Sequence, residues 1–241
     1  MKRLKKLLFL LAAVPVIACA SEDGPPLDKA PVNLSDHASL QRGARIFVNY
    51  CLNCHSAASM RYSRMQDLGL TEDQIKENLM FAAEKPGETM TVAMDKKEAK
   101  GWFGSAPPDL SVIARARGSD WLYTYLRSFY RDDSRPTGWN NVVFDKVAMP
   151  HVLWSLQGEM VPVMKKEGEH EVIERLELAK PGSVTLAEYD AMVGDLVNYL
   201  TWMGEPAQLE RKQLGLIVLA FLAFFFVVAY YLKKEFWKDV H

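Results

Sequence analysis

The chain has 241 residues, which is enough for one large domain or two small ones. Its 29 Lys and Arg nearly balance its 30 Asp and Glu, so no bulk positive charge points to nucleic acid and no such partner is predicted. The balance hides an asymmetry, because residues 21–209 hold 20 basic and 27 acidic residues, a net charge of −7. This acidic region favours a basic protein partner, although a soluble acidic surface explains the charge equally well.

The N-terminus has the pattern of a secretory signal peptide. Its first ten residues hold four positive charges and no negative ones, and an apolar run over 7–18 follows, too short to span a bilayer comfortably. Small residues at 18–20 give an A-x-A-like site, so we expect a signal peptide over residues 1–20 that is cleaved after Ala20. The stretch 16–19 also resembles a lipoprotein box, which would instead leave an acylated Cys19 at the mature N-terminus.

A second apolar segment, residues 214–232, contains nineteen residues and no charge. At about 1.5 Å per residue, a helix of this length reaches about 28 Å, close to the thickness of a hydrocarbon core. Basic residues flank both ends, and aromatic residues lie near the C-terminal end. We therefore expect a periplasmic domain over 21–209, a transmembrane helix over 210–232 and a cytoplasmic tail over 233–241. Such a protein crosses the bacterial inner membrane once.

Between the apolar ends the sequence predicts a mainly α-helical domain. Apolar spacing and capping residues predict helices over 38–50, 72–83, 109–117, 121–129 and 186–203. Thr71 or Asp73 is expected to cap the second of these and Asp109 the third, which Gly118 can end. Asp120 is expected to open the fourth.

The connections carry their own signals. Pro107 and Pro108 force an extended stretch, because proline fixes φ and restrains the residue before it. Residues 132–141 are rich in Pro, Gly, Asn and Asp and are expected to form a loop. The highly charged segment 159–180 is expected to be a solvent-facing hairpin or an insertion.

The strongest chemical signal is the C-x-x-C-H motif at residues 51–55, the attachment signature of c-type haem. Cys51 and Cys54 can each add to a haem vinyl group, and His55 then presents its imidazole to the iron. A thioredoxin-like pair needs a βαβ setting, a zinc site needs further ligands, and a disulfide alone leaves His55 unexplained. The motif predicts one covalently attached haem c.

The second axial ligand is less closely specified. Electron-transfer cytochromes c use a methionine there, whose thioether raises the reduction potential. Ten methionines follow the signal peptide, and most are expected to pack in the core. Met149 differs because it precedes Pro150, and a residue before proline is held extended, which suits a loop that crosses the haem face. Spacing alone leaves Met160 and His151 as alternatives.

Several stretches resemble known cytochromes. Residues 43–50 resemble the first helix of class I cytochromes c, and 196–200 resemble the last helix, which crosses the first. Four stretches resemble the cytochrome c1 family more specifically: WFGSAPPDLS at 102–111, ARARG at 114–118, VAMP at 147–150 and KKEFWKDVH at 233–241. That family supplies the haem-c subunit of the cytochrome bc1 complex, and the resemblance covers nearly the whole mature chain in order.

The resemblance implies a fold and a set of site residues. The fold would be a class I cytochrome c core with inserted loops plus one C-terminal transmembrane helix. Cys51 and Cys54 would hold the haem, with His55 as the proximal and Met149 as the distal iron ligand.

The resemblance implies supporting residues as well. Pro107 and Pro108 would line the haem edge, with one of their carbonyls orienting the N–H of His55. Arg117 would bind a haem propionate, and Trp121 would lie near the haem. The alternative for Arg117 is a solvated helix position, and packing alone would explain Trp121.

The implied function is a one-electron relay that makes and breaks no substrate bonds. Electrons would come from the Rieske iron–sulfur protein and go to a cytochrome c, with cytochrome b and membrane lipid as further partners. A membrane-tethered cytochrome shuttle is an alternative, which a long flexible linker before residue 214 would favour. A haem enzyme or gas sensor is another, which requires an exchangeable distal ligand.

Overall fold

The fold combines many short helices with three two-stranded sheets. The structure is a computed structural model that describes residues 24–239 except residue 169; the predicted signal peptide, Cys19 and residues 240–241 lie outside this part. The α-helices are α1 (His37–Ile46), α2 (Glu72–Asn78), α3 (Lys96–Phe103), α4 (Ile113–Arg117), α5 (Ser119–Arg127), α6 (Trp154–Gln157), α7 (Leu186–Gly204) and α8 (Gln208–Phe236). The strands are β1 (Ala57–Arg61), β2 (Thr89–Met90), β3 (Phe129–Arg131), β4 (Trp139–Asn141), β5 (Gly158–Glu167) and β6 (His170–Pro181). The mainly α prediction is confirmed.

The crossing of α1 and α7 forms the centre of the domain. Asp36 caps α1 by accepting from the backbone N–H of Ser39, and Thr185 opens α7 with a capping box. Gly43 lies at the crossing, where a Cβ atom would stand 2.1 Å from the carbonyl oxygen of Asp195. The guanidinium group of Arg42 donates two hydrogen bonds, of 2.6 and 2.9 Å, to the carboxylate of the same Asp195. This close approach confirms the predicted contact between the first and last soluble helices.

The second predicted helix is confirmed but ends early. Thr71 caps α2 in a capping box with Gln74, as one of the two proposed caps. The prediction extended this helix to residue 83, whereas α2 ends at Asn78. The Asn78 amide donates to the carbonyl oxygen of Gln74, and Leu79 then leaves the helical region with a φ of −129°. A side chain that bonds to the backbone in this way competes with helix continuation.

Two predicted caps are wrong: neither side chain caps its helix, and each carboxylate accepts a hydrogen bond from the backbone of a distant segment. Asp109 accepts from the N–H groups of Ala58 and Ser111, both at 2.8 Å, and α4 begins only at Ile113. Asp120 lies inside the first turn of α5 and accepts from the N–H of Ala30 at 2.9 Å. These bonds fasten β1 and the N-terminal segment to the domain. Gly118 does end α4, with a φ of 88°.

The region after α5 contains short strands that the sequence prediction missed. The helix expected over 121–129 ends at Arg127, and β3 begins at Phe129. Strand β4 lies within the segment 132–141, which was predicted as a loop, and pairs antiparallel with β3. The charged segment 159–180 forms the β5–β6 hairpin, which confirms the hairpin alternative for it.

The last helix, α8, is long and apolar enough to cross a membrane. It is the one such helix among the described residues. It begins at Gln208 and contains the whole predicted span, and none of its residues is buried. Only residues 205–207 separate it from α7. Glu205 in this junction pairs with Arg211 of α8 and, at 3.5 Å, with Arg115 of α4.

Candidate functional site

A cavity of about 410 Å³ opens between the end of α1, the helices α4 and α5, the loop before α6 and one face of α7. All eight site residues predicted from the sequence line it: Cys51, Cys54, His55, Pro107, Pro108, Arg117, Trp121 and Met149. The remaining lining is largely apolar and includes Leu196 and Leu200 of α7. Segments up to 150 residues apart in the chain, from Tyr50 to Leu200, therefore share one pocket.

A tight turn presents the C-x-x-C-H motif to this cavity. The last turn of α1 widens into a π-helical turn, Phe47–Cys51, and the N–H groups of Cys54 and His55 then bond to the carbonyl oxygen of Cys51 at 3.1 and 2.9 Å. Both thiols are free. Burial raises the pKa of Cys51 to about 12 and raises that of Cys54, so both groups are neutral thiols at neutral pH.

His55 is held in one tautomer. Its Nδ1 lies 2.8 Å from the carbonyl oxygen of Pro108, and since a carbonyl only accepts, Nδ1 carries the proton. The predicted hydrogen bond from the His55 N–H to a proline carbonyl is thus accepted by Pro108. Burial lowers the pKa of His55 below its ordinary value, which keeps the ring neutral at neutral pH. Its Nε2 lone pair is consequently free to bind a metal ion.

Met149 is half-buried in the irregular loop between β4 and α6. The hydroxyl group of Tyr125 donates to its sulfur at 3.3 Å. The two alternative ligands lie elsewhere: Met160 is buried in β5, and neither it nor His151 lines the cavity. Among the methionines in the described ranges, Met149 alone lines the pocket.

Arg117 lies at the rim of the cavity and is the one Lys or Arg among its described lining residues. Its guanidinium carbon lies 5.1 Å from the ring centre of Trp121 and 5.9 Å from that of Phe144, close enough for cation–π contacts. Trp121 in turn stacks on Tyr125, with 4.8 Å between ring centres. Arg115 pairs with Glu205 instead, at 3.5 Å, because residues two positions apart do not share a helical face.

Tyr125 is the site residue that sequence reasoning missed. It is 9% exposed, and burial raises the pKa of its hydroxyl group, so the group stays protonated and donates to Met149. Its position four residues after Trp121 puts both rings on one face of α5, so helical spacing was an available signal. The acceptor lies 24 residues away, which spacing cannot reveal.

The donor set of the cavity fits a c-type haem. Two neutral thiols, a neutral imidazole and a thioether face a largely apolar volume, and one guanidinium lies at its open edge. Sulfur and nitrogen donors of this kind are the axial ligands of electron-transfer haems. An apolar wall suits the macrocycle, and a cation at the rim suits its carboxylates.

Comparisons with known proteins agree with this geometry. Residues 28–240 match the family model described as the Cytochrome C1 family. The chain is 51% identical to a Nitrosomonas europaea protein named ammonia monooxygenase gamma subunit and 50% identical to cytochrome c1 of Allochromatium vinosum, with both chains fully covered in each case. It is 25% identical to cytochrome b/c1 of Bradyrhizobium diazoefficiens over 97% of this chain and 38% of that protein. The chain therefore belongs to the cytochrome c1 family, the haem-bearing electron-transfer subunits of respiratory cytochrome bc1 complexes.

Proposed function

We propose that this chain carries a single haem c and relays one electron at a time from a Rieske iron–sulfur protein to a soluble or tethered cytochrome c. The observation that carries the proposal is the convergence of the C-x-x-C-H turn and Met149 on one apolar cavity. When bound, the haem supplies a reversible one-electron iron couple. The side chains of the protein attach it, hold it and set its potential.

Each side chain has a distinct task in this proposal. The thiols of Cys51 and Cys54 would hold the haem covalently, through one thioether bond to each of its two vinyl groups. His55 Nε2 and Met149 Sδ would be the two iron ligands that the protein supplies. The Pro108 carbonyl fixes the imidazole plane, and the Tyr125 hydroxyl fixes the direction of the thioether.

Arg117 and Trp121 act at the edge of the haem. We assign Arg117 to a propionate carboxylate, since its guanidinium group stacks on two aromatic rings and makes no ion pair within the described part of the chain. A stacked guanidinium is preorganised and loses little freedom when it binds a carboxylate. The Trp121 ring contacts the guanidinium group of Arg117 on one face and stacks on the Tyr125 ring.

The topology we propose has residues 21–209 in the periplasm, a membrane span over 210–232 and a cytoplasmic tail over 233–241. The short junction 205–207, with its two arginine–glutamate contacts, supports a fixed subunit rather than a travelling shuttle. The Bradyrhizobium relative, named cytochrome b/c1, supports association with a cytochrome b.

The name of the Nitrosomonas relative raises a second candidate, a role in oxygen-dependent ammonia chemistry. Such a role needs an iron position open to small ligands, whereas the contact between Tyr125 and Met149 supports a closed one. Carbon monoxide distinguishes the two functions: a relay with Met149 bound takes it up poorly when ferrous at neutral pH, and an oxygen-activating site takes it up readily.

Purification of the native membrane complex tests the relay most directly. We expect the chain to copurify with a cytochrome b and a Rieske protein, and to keep one haem after denaturing electrophoresis. Reduction of this haem by quinol should depend on the Rieske protein and precede reduction of an added cytochrome c. A chain that purifies alone and is reduced without a Rieske protein would contradict the proposal.

Processing gives a separate prediction, since residues 1–20 carry both a signal-peptidase pattern and a lipoprotein-like stretch. The intact mass of the mature protein should equal that of a chain starting at Ser21 plus one haem. A mass that starts at Cys19 and includes acyl chains would replace the first cleavage site and add a second membrane anchor.

A further inference from the structure

The segment that carries Met149 is fastened two residues later by a buried histidine. His151 is 2% exposed, and its ring lies parallel to Phe129 with 4.9 Å between centres. Trp139 and Tyr189 meet it edge-on at 5.1 and 6.5 Å. The ring is thus enclosed by side chains from β3, β4 and α7.

The polar edge of His151 has one defined partner. Its Nε2 lies 2.7 Å from Oε1 of Gln157, which is itself 3% exposed. The Gln157 amide nitrogen donates to the carbonyl oxygen of Arg127 at 3.0 Å, so Oε1 is the acceptor and His151 Nε2 is the donor. This orients both side chains and ties the loop to the end of α5.

The segment at the end of α5, which accepts the bond from Gln157, also contacts Met149 directly. Three alternate residues lie at the junction of α5 and β3: Tyr125, Arg127 and Phe129. Tyr125 donates to the Met149 sulfur, the Arg127 carbonyl receives the bond from Gln157, and Phe129 supports the His151 ring. Pro150 lies between the two fastened residues, and its ring fixes its own φ. Met149 and His151 therefore have less freedom to move independently of each other.

We infer that His151 and Gln157 form a clamp that positions Met149 as an iron ligand, so that His151 is a positioning residue for the distal side of the haem. This rests on the proposed ligation by Met149. The clamp lowers the population of conformations in which the thioether is off the iron, because the loop cannot swing away without breaking a buried hydrogen bond. It acts on the ligand without contacting the haem cavity.

The test uses the full-length haem protein and imidazole as a competing ligand of the ferric iron. An outside ligand binds only the fraction of molecules in which Met149 is detached, so its apparent affinity reports that fraction. His151→Phe keeps the ring and removes the donor, and Gln157→Met removes the acceptor at similar length. We expect each variant to bind imidazole about tenfold more tightly than wild type, the ratio that follows from losing one buried hydrogen bond. The double variant should gain no more than either single one.

Tyr189→Phe is the matched control. It removes an equally buried hydrogen bond, from the hydroxyl group to the carbonyl oxygen of Leu126 at 2.8 Å, and keeps its ring beside His151. We expect wild-type imidazole affinity there, even if the variant unfolds at a lower temperature. A rise equal to that of His151→Phe would show general loosening and overturn the clamp, as would wild-type affinity in both clamp variants.

A second background separates the clamp from the ligation itself. In Met149→Leu there is no thioether bond to loosen, so adding His151→Phe should leave the imidazole affinity unchanged. A further rise there would mean that His151 shapes the pocket rather than the ligand, and would refute the clamp. Persistence of the thioether–iron absorption band in Met149→Leu would instead refute the proposed ligation.

Discussion

Replacement of Met149 by leucine is expected to leave the haem covalently attached and to abolish the thioether–iron absorption band at the red end of the ferric spectrum. Attachment depends on Cys51 and Cys54, which the substitution does not touch. The reduction potential should fall by on the order of a few hundred mV, within the range of about 0.8 V that axial ligands control, because the thioether favours ferrous iron. Optical spectra and a redox titration of the purified protein measure both effects.

Met160→Leu is the matched control for this substitution. Met160 is 7% exposed in β5, away from the cavity, so leucine there should change the stability of the protein but not its spectrum or potential. An unchanged band in Met149→Leu together with its loss in Met160→Leu would transfer the ligand to Met160. The pocket would then have to rearrange when haem is attached.

Reduction of the electron acceptor is expected to slow steeply with salt. Residues 21–209, which we propose to lie in the periplasm, carry a net charge of −7, and charge steering raises association rates by about 10- to 1,000-fold at low ionic strength. The Debye length shrinks from about 10 Å at 0.1 M salt to about 3 Å at 1 M, so the rate constant should fall at least about tenfold over that range. Stopped-flow reduction of the native acceptor measures it, and electron entry from the tethered Rieske protein should barely change.

The β5–β6 hairpin carries a cluster of glutamates, Glu171, Glu174 and Glu177, which is one candidate for the docking surface. Arg175 pairs with Glu174 at 2.9 Å and with Glu177 at 2.7 Å, which neutralises part of the glutamate cluster. Replacing Glu171, Glu174 and Glu177 with lysine therefore tests the cluster, and the same change at the exposed Glu72, Glu77 and Glu84 is the control for total charge.

Two outcomes would limit the electrostatic account. Equal salt dependence in the hairpin variant and the wild type would remove the hairpin from the docking surface. A flat salt profile of the unmodified protein would refute charge steering altogether. Apolar contact at the rim of the cavity would then be favoured, where Phe144 is 44% exposed and Trp102, one residue before the lining Phe103, is 63% exposed.

Features coded by neighbouring residues could be predicted from the sequence. The C-x-x-C-H turn needs only five consecutive residues, and the apolar span of α8 needs only length and hydropathy. Apolar spacing predicted the start of α1 to within one residue and both ends of α7 to within one residue. The predicted end of α1 at residue 50 was wrong, because the chain enters a π-helical turn at Phe47. Met149 stood out because of the proline that follows it and because of the family resemblance of that segment.

Features that join distant residues were decided by the tertiary structure alone. Asp109 and Asp120 have the sequence pattern of helix caps. Their carboxylates instead accept hydrogen bonds from the backbone N–H groups of Ala58, which is 51 positions away from Asp109, and Ala30, which is 90 positions away from Asp120. The bonds of Tyr125 to Met149 and of Gln157 to the Arg127 carbonyl likewise bridge 24 and 30 positions. A side chain with two possible partners takes the one that packing brings within reach, and packing depends on the whole chain. The sequence by itself therefore predicted which groups would attach and ligate a haem, and the fold decided what orients them.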